Sequence, residues 1–257
     1  MSDTNEGRSI CGPGDPDWIR THREAWRKKQ TLRYYYQREI FERILRQLNG
    51  GRILELGSGP GFFADYHRGM LRSDLVPVRG LDLCFDVHDI PIADETLDAV
   101  VGVDVLHHFA RPGRALREIV RLLRPNGRLV LVEPWTGPMG FLFYRFVHHE
   151  ECYGVADPWR EAFPKDKAPM EGNAHIPKSI LVDRAAELAV YVPGLFIRRV
   201  EPFGVLSYLL TGGFQNWGFP SGVSAALAAL EHRLPPRMMW FLATRALFVL
   251  EKREPGP

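Results

Sequence analysis

The sequence lacks the features of a membrane-spanning or secreted protein. Its longest nearly uncharged apolar run, Gly137 to Tyr144, is far shorter than the roughly 18–20 residues that cross a bilayer. The polar segment from Met1 to Pro16 has no apolar centre, so no secretory signal is expected. Cys11, Cys84 and Cys152 share no CxxC spacing, which disfavours a disulfide framework or a zinc ribbon and favours a reducing cytoplasm.

A strong charge of either sign is also missing. Among 257 residues, 33 lysines and arginines face 31 acids, and a net charge of +2 is too small to indicate a nucleic-acid partner by itself. The hydrophobic fraction of 45% and the charged fraction of 25% are those of an ordinary globular protein, which argues against overall disorder. The length allows one large domain or two small ones.

Strand and helix patterns alternate along most of the chain. Apolar residues recur every three or four positions from Trp18 to Leu48, which is typical of a helix, and Asn49-Gly50-Gly51 supplies its end. Buried strands are predicted at Arg52–Leu56, Asp98–Val103, Arg128–Glu133 and Ala243–Leu250, and helices at Phe62–Arg68, Arg114–Leu123 and Ser179–Val190. This alternation predicts a parallel sheet with helices on both faces.

Two long stretches, 136–178 and 202–240, interrupt the alternation. Both are rich in proline, glycine and aromatic residues. Loops of this length are usually functional or carry extra structure. Their aromatics suit an apolar or aromatic substrate pocket, and they equally suit the core of a small inserted layer.

A glycine-rich turn follows the first predicted strand. Gly57, Gly59 and Gly61 alternate with other residues, and Glu55 lies two positions before the first glycine. Such a turn lets a ligand approach the backbone at the start of a helix. A dinucleotide fingerprint would require glycine where Phe62 stands, so NAD is disfavoured.

Three motifs in order resemble the class I S-adenosylmethionine (SAM) methyltransferases. They are ILELGSGPG (Ile53–Gly61), DIPIADETLDAVVGVDVLHHF (Asp89–Phe109) and EIVRLLRPNGRLVLVEPW (Glu118–Trp135). The resemblance covers roughly residues 52–135 and implies SAM as the cofactor. It implies one domain over 1–257, an α/β Rossmann-like fold whose seven-stranded sheet is mostly parallel with the last strand antiparallel. Residues 1–50 would form a helical cap, and the insertions 136–178 and 202–240 a substrate lid.

The resemblance also assigns residues to the cofactor. It implies SAM binding by Tyr36, Glu55, Gly57, Ser58, Gly59, Gly61, Asp74, Asp86, Val87 and Asp104. Glu55 would organise the glycine loop and help hold the ammonium group, or else cap nearby backbone N–H groups. Asp86 and Val87 would contact the adenine. Asp104 would lie beside SAM and the substrate, or else cap the turn that follows it.

The acid that binds the ribose has two candidates. Asp74 and Asp82 lie 17 and 25 residues after Gly57, and the spacing of the resembled family falls between these values. Context favours Asp74, because a second strand ending there leaves Val78–Phe85 for the third strand. The usual helix between these strands would then be missing or reduced to a turn. Asp82 would be a solvated or structural residue.

Histidines are the candidate general bases, because an unperturbed imidazole titrates near neutrality. His148 and His149 lie in the first insertion and are followed by two acids, and His175 is a second candidate. A structural or solvated role is the alternative for each. At least one of His107 and His108 is expected to be structural. Adjacent histidines point in different directions, which disfavours a metal site, and no metal is predicted.

Absent motifs narrow the reaction further. The chain has no Asn/Asp-Pro-Pro-aromatic tetrapeptide and no Pro-Cys nucleophile, which disfavours amino methylation of nucleobases or glutamine and C5 methylation of cytosine. We therefore expect a cytoplasmic enzyme that methylates an oxygen or nitrogen of a small molecule, with specialised or sugar metabolism as one setting. No membrane partner and no particular oligomeric state are predicted.

Two alternatives stay open. In the first, the chain is a SAM-binding protein with a non-methylating or regulatory role. In the second it is an RNA methyltransferase, for which the basic and aromatic stretch from Arg20 to Tyr36 would supply the RNA contact. That stretch is equally typical of a solvated helix face. If the helix instead closes over SAM, Arg33 or Tyr36 would reach the methionine carboxylate.

Overall fold

The structure, a computed structural model, describes residues 15–147, 151–163 and 171–253. Its strands form one seven-stranded sheet in the order β3-β2-β1-β4-β5-β7-β6. They are β1 (Ile53–Leu56), β2 (Met70–Asp74), β3 (Leu83–Cys84), β4 (Leu97–Val103), β5 (Leu123–Pro134), β6 (Leu195–Phe203) and β7 (Arg245–Lys252). Only β7 is antiparallel to its neighbours, β5 and β6. The predicted Rossmann-like sheet with an antiparallel last strand is confirmed.

Helices cover the sheet and build the segments between strands. In the described ranges they are α1 (Asp17–Lys28), α2 (Gln30–Tyr35), α3 (Glu42–Leu45), α4 (Phe62–Tyr66), α5 (Pro112–Leu122), α6 (Pro138–Phe146), α7 (Ile176–Lys178), α8 (Leu188–Tyr191), α9 (Leu206–Leu209), α10 (Ser221–Glu231) and α11 (Pro236–Leu242). None of these helices combines the length and the apolar character needed to cross a membrane.

The hydrophobic core lies on both faces of the central strands. β4, β5 and β7 are buried along most of their length, as expected for strands covered on both sides. The apolar face of α5 packs into this core through Ala115, Leu116, Ile119 and Leu122, none of which is exposed. The carboxyl ends of β1, β2 and β4 therefore emerge together from a rigid base.

The N-terminal periodic stretch is not one continuous helix. Extended backbone at Lys29 separates α1 from α2, and a π-helical turn at Tyr36–Phe41 joins α2 to α3. A π-helical turn has a wider spacing than an α-helix. The pairs Tyr35–Tyr36 and Ile40–Phe41 are all buried here, which the ordinary helical period does not predict.

The segment after β2 follows the prediction in outline. β2 ends at Asp74, and no helix separates it from β3, as expected. The predicted third strand over Val78–Phe85 is too long, because only Leu83 and Cys84 pair with β2.

Two other predicted elements differ from the structure. The strand expected over Arg128–Glu133 is longer in the structure, because β5 begins at Leu123 and its register against β4 shifts between Leu97 and Ala99. The helix expected over Ser179–Val190 is broken into a π-helical turn (Ser179–Asp183), a 3-10 turn (Ala185–Glu187) and α8.

Candidate active site

A cavity of about 1060 Å³ lies at the carboxyl ends of the parallel strands. Its wall includes Gly57–Pro60 after β1, Asp74 at the end of β2, Asp86 after β3 and Asp104 after β4. Ligands of open parallel sheets bind at this edge. Because a pocket for one drug-sized ligand measures roughly 300–1000 Å³, the cavity has room for more than one small ligand.

The glycine loop needs glycine at its first position. Gly57 has φ of 62°, and a Cβ placed there would lie 2.3 Å from Val105 Cγ1. A left-handed backbone and a close neighbour both exclude a larger residue. Ser58 N–H donates to Ser73 O at 2.8 Å and fixes the loop against β2. Gly61 does not line the cavity; it precedes α4 as the residue that caps it.

Glu55 is a buried acid beneath this loop. Ser58 Oγ donates to its carboxylate at 2.9 Å, and Ser73 Oγ donates to its backbone carbonyl at 2.7 Å. Burial raises the pKa of Glu55 to about 7, against the opposing effect of the Ser58 hydrogen bond. The Glu55 carboxyl therefore changes its charge near neutral pH.

Asp74 closes the loop from the neighbouring strand. Its Oδ2 accepts the Gly59 N–H at 2.8 Å and its Oδ1 accepts the Val76 N–H at 2.9 Å. Burial raises the pKa of Asp74 despite these two bonds. Each carboxylate oxygen still has a second lone pair for a ligand hydroxyl. Asp82 is exposed, accepts the Arg72 N–H at 2.8 Å and does not line the cavity.

Asp86 is held by a histidine that the sequence analysis missed. His88 Nδ1 lies 2.5 Å from Asp86 Oδ1, and His88 Nε2 accepts the Arg111 N–H at 3.1 Å. The second bond assigns the ring proton to Nδ1, which donates to Asp86. Burial would raise the pKa of Asp86, but the bonds from the His88 N–H groups outweigh it and lower that pKa. The Asp-x-His spacing was the available signal. Val87, between them, also lines the cavity.

Asp104 pairs with a second missed residue, Arg245. Arg245 Nη2 donates to Asp104 Oδ1 at 2.5 Å, and the guanidinium carbon lies 4.9 Å from the centre of the Tyr208 ring. The Arg245 side chain is 2% exposed, and its Nε has no hydrogen-bond partner among the described residues. Asp104 has φ of 57°. Its carboxylate pairs with Arg245, and the N–H groups of the following turn, at Val105 and Leu106, are bound by Glu133 instead. An arginine at the start of a buried strand was the signal for this site.

The rest of the cavity wall is aromatic. It includes Tyr36, Phe143, Tyr144, Tyr208, Phe214 and Trp217. His22 stacks on Phe214 at 4.0 Å between ring centres. Burial holds the pKa of Tyr36 well above its ordinary value, so its phenol stays protonated. This half of the cavity suits an apolar or aromatic ligand with a few polar groups.

The predicted general bases do not all lie at the cavity. His148 and His149 lie outside the described residues. His175 does not line the cavity; its Nδ1 lies 2.8 Å from Thr136 Oγ1, and burial lowers its pKa. Of the pair after β4, His108 lines the cavity while His107 is buried.

His107 belongs to a hydrogen-bonded cluster behind the cavity. Its Nδ1 lies 2.7 Å from Glu133 Oε2, and Glu133 Oε1 accepts the Val105 and Leu106 N–H groups at 2.9 and 2.7 Å. The ligand atoms of Asp104, His107 and Glu133 lie within 4.8 Å of one another. The hydrogen bonds of Glu133 explain this proximity, since they hold the turn after β4 against β5.

The basic face of the N-terminal region bonds largely within the protein. Lys29 Nζ donates to Gly213 O at 2.6 Å, and Lys28 pairs with Glu24. Arg33 Nη1 donates to Arg27 O at 2.6 Å and so caps the end of α1. Arg33 does not line the cavity and its side chain is engaged at the end of α1, whereas Tyr36 lines the cavity.

Part of the chain matches a family described as a methyltransferase domain, over residues 64–131. The demethylmenaquinone methyltransferase of Clavibacter sepedonicus is 32% identical over 114 residues, which are 38% of this chain and 46% of that protein. The phthiotriol/phenolphthiotriol dimycocerosates methyltransferase of Mycobacterium leprae is 30% identical over 115 residues, 37% and 42% of the two chains. The chain thus spans less than half the length of these relatives.

A solved structure from Thermotoga maritima covers nearly the whole chain. It is a SAM-dependent methyltransferase described as a possible histamine N-methyltransferase. The TM-score is 0.52 at 16% identity, over 92% of this chain and 98% of the other. At this identity the likeness concerns the fold.

Proposed function

We propose that this chain, which carries a methyltransferase domain with the class I SAM-dependent fold, transfers a methyl group from SAM to an oxygen or nitrogen of a small molecule. One observation carries the proposal. A single cavity of about 1060 Å³ joins the glycine loop and the Asp74 and Asp86 acids to a polar and aromatic compartment around Asp104 and Arg245. Two such compartments fit a cofactor and an acceptor side by side.

The residues of the first compartment match the chemical groups of SAM. Asp74 has lone pairs for the ribose hydroxyls, and Glu55 supplies a carboxyl beneath the loop that would hold the methionine part. Phe85 and Val87 offer apolar surface to the adenine, with Asp86 beside them. When bound, the cofactor supplies an electrophilic methyl group on a sulfonium. The protein has to hold the acceptor in line with that carbon and exclude water.

The second compartment would orient the acceptor. Tyr36 and Tyr208 provide aromatic walls, and the ion pair between Asp104 and the buried Arg245 provides fixed charges at the end of β4. Fixed dipoles and charges in a site with little water stabilise developing charge better than bulk water does. We place the acceptor's polar end at this pair.

Proton removal is assigned to a histidine. His108 lines the cavity, and its Nδ1 bonds Glu171 O at 3.0 Å, which orients the ring. His148 and His149 directly follow Val147, which also lines the cavity. We keep these three as candidate general bases and drop His175, since it bonds Thr136 away from the wall.

The lid is formed by the N-terminal helices and the two insertions, and we propose that it closes over both ligands. Tyr36 of residues 1–50, Tyr144 of 136–178 and Tyr208 of 202–240 all line the cavity. Closure by three separate segments would exclude water from the transfer step.

Calorimetric titration with SAM, and then with its demethylated product, tests the cofactor assignment. The variant Asp74→Ala should weaken SAM binding by about 1.5–3 kcal/mol, the range for hydrogen bonds to a charged group. Asp82→Ala is the matched control, because Asp82 is an exposed acid that does not line the cavity, and it should leave binding nearly unchanged.

Three results would each contradict part of the proposal. The reverse ranking of the two variants would refute the ribose assignment. Binding of SAM without release of the demethylated product, across oxygen and nitrogen acceptors, would favour the non-methylating alternative. Binding of tRNA that weakens steeply with salt would instead favour the RNA methyltransferase alternative.

A further inference from the structure

A row of large apolar side chains is exposed on α6 and α11. On α6 and its C-terminal cap they are Met139, Phe141, Leu142, Phe146 and Val147, and on α11 they are Met238, Trp240 and Phe241. Phe146 is 76% exposed and Val147 is 68% exposed. Single exposed apolar residues are ordinary, but contiguous apolar patches mark interaction sites. We call this set the α6–α11 surface.

The two helices contact each other, so their exposed apolar residues lie on neighbouring elements. Trp135 Nε1 donates to Trp240 O at 3.1 Å between them. A Cβ at Gly137 would lie 2.5 Å from Trp240 O, and one at Gly140 would lie 2.8 Å from Ala243 O. Only glycines allow this approach of the backbones.

Each helix carries an arginine in the middle of its exposed side. At about 100° per residue, Arg145 lies between Phe141 and Leu142 around α6, and Arg237 lies between Trp240 and Phe241 around α11. Both arginines are exposed, and neither helix contains an acidic residue. Within α6 and α11, the charged residues beside the exposed apolar side chains are therefore both cationic.

We propose that the α6–α11 surface docks the protein onto an anionic lipid bilayer. Interfacial helices combine a buried apolar face with basic side chains, and tryptophan prefers the headgroup level. The arginines would reach lipid phosphates while Phe146, Phe241 and Trp240 enter the boundary of the acyl chains. Docking of this kind requires no membrane-spanning helix, and it replaces the expectation from the sequence that the protein has no membrane partner.

Charge argues against a second copy as the occupant. A symmetric contact places the same surface on both partners, so Arg145 and Arg237 of the two copies would face one another without a carboxylate on either helix. An anionic bilayer instead supplies the opposite charge over the whole surface.

Docking through α6 would bring the cavity close to the membrane. Phe143 and Tyr144 of α6 line the acceptor compartment. A docked protein would hold that compartment beside the lipid phase, where apolar molecules partition. The proposal itself rests on the surface alone and stands whether or not methyl transfer is confirmed.

Co-sedimentation of the full chain with vesicles tests this proposal. The protein should bind vesicles of phosphatidylcholine and phosphatidylglycerol more tightly than vesicles of phosphatidylcholine alone, and added salt should weaken binding. Arg145→Ala and Arg237→Ala should each lower the partition coefficient by about fivefold. Phe146→Glu with Phe241→Glu should abolish binding, with a small change in the unfolding midpoint because both side chains are exposed.

Val190→Glu is the matched control. Val190 lies in α8 and is 77% exposed, so this variant adds, at an equally open apolar position away from the surface, the charge that each of the two glutamate substitutions adds. It should bind vesicles like the wild type. Equal loss of binding in the control, or no preference for anionic vesicles, would overturn the proposal. A dimer seen by light scattering without lipid, and lost in Phe146→Glu with Phe241→Glu, would also overturn it by assigning the surface to a second copy.

Discussion

Replacing Glu55 with glutamine measures how much free energy of unfolding is lost because an acid is buried beneath the glycine loop. Burial raises the pKa of Glu55 from 4.5 to about 7 in the folded protein. Between these values the folded state holds a proton that the unfolded state has released, so stability falls as the pH rises through this range. Glutamine keeps an oxygen that can accept the Ser58 hydroxyl and removes the titration.

The magnitude follows from the difference between the two pKa values. At about 1.36 kcal/mol for each pKa unit, the destabilisation above pH 7 amounts to about 3 kcal/mol. The free energy of unfolding of Glu55→Gln minus that of the wild type should therefore rise by about this amount between pH 4.5 and pH 8. Other titrating groups are common to both proteins and cancel in the difference.

Urea unfolding of both proteins at several pH values measures this difference. A value that does not change between pH 4.5 and pH 8 would show that Glu55 titrates alike in the folded and unfolded states, and it would refute the reasoning. Calorimetry with SAM gives a second readout. SAM should bind the wild type more tightly as the pH rises from 6 to 8, because the ionised carboxylate favours the cationic ammonium group, while Glu55→Gln should show no such trend.

Urea unfolding also tests the Asp104–Arg245 pair and the glycine loop. Asp104→Asn should destabilise the protein by about 3 kcal/mol, because it leaves the buried Arg245 cation without its counter-ion. Arg245→Met should cost less, since the remaining Asp104 is 31% exposed, and the double variant should recover most of the loss; additive effects would contradict the pairing. Gly57→Ala should cost about 2–4 kcal/mol through its left-handed backbone and the contact with Val105. Gly50→Ala, also left-handed but with nothing within 4 Å of its Cβ, should cost about 1–2 kcal/mol; equal losses would remove the steric argument.

The sequence was most informative where local patterns and tertiary packing agree. The buried strands at β4 and β7 and the loop after β1 follow from apolar runs and glycine spacing. The end of β2 at Asp74 was predicted because a strand ending there leaves enough residues for a third strand before the next motif. In these places neighbouring residues carry the whole signal.

The acceptor side of the cavity depends on contacts between distant residues. Arg245 meets Asp104 only because β7 returns between β5 and β6, a separation of 141 residues. His88 accepts a hydrogen bond from the backbone N–H of Arg111 and donates one to Asp86. No periodicity relates such positions. His175 looked equivalent to the other histidines in the sequence, and only the packing shows that it faces Thr136.

The π-helical turn at Tyr36–Phe41 lets the N-terminal cap accept a change in length. Such a turn holds one residue more than an α-helix would over the same path. Deleting one residue there would leave a regular α-helix along nearly the same path, so the residues before it would keep their orientation relative to the sheet. The same deletion in α3, which follows the turn, would instead rotate everything before it by about 100°. Trp26 would then leave its stacked position on Phe62. Deletions in related chains should therefore be tolerated at this turn and avoided in the regular helix beside it.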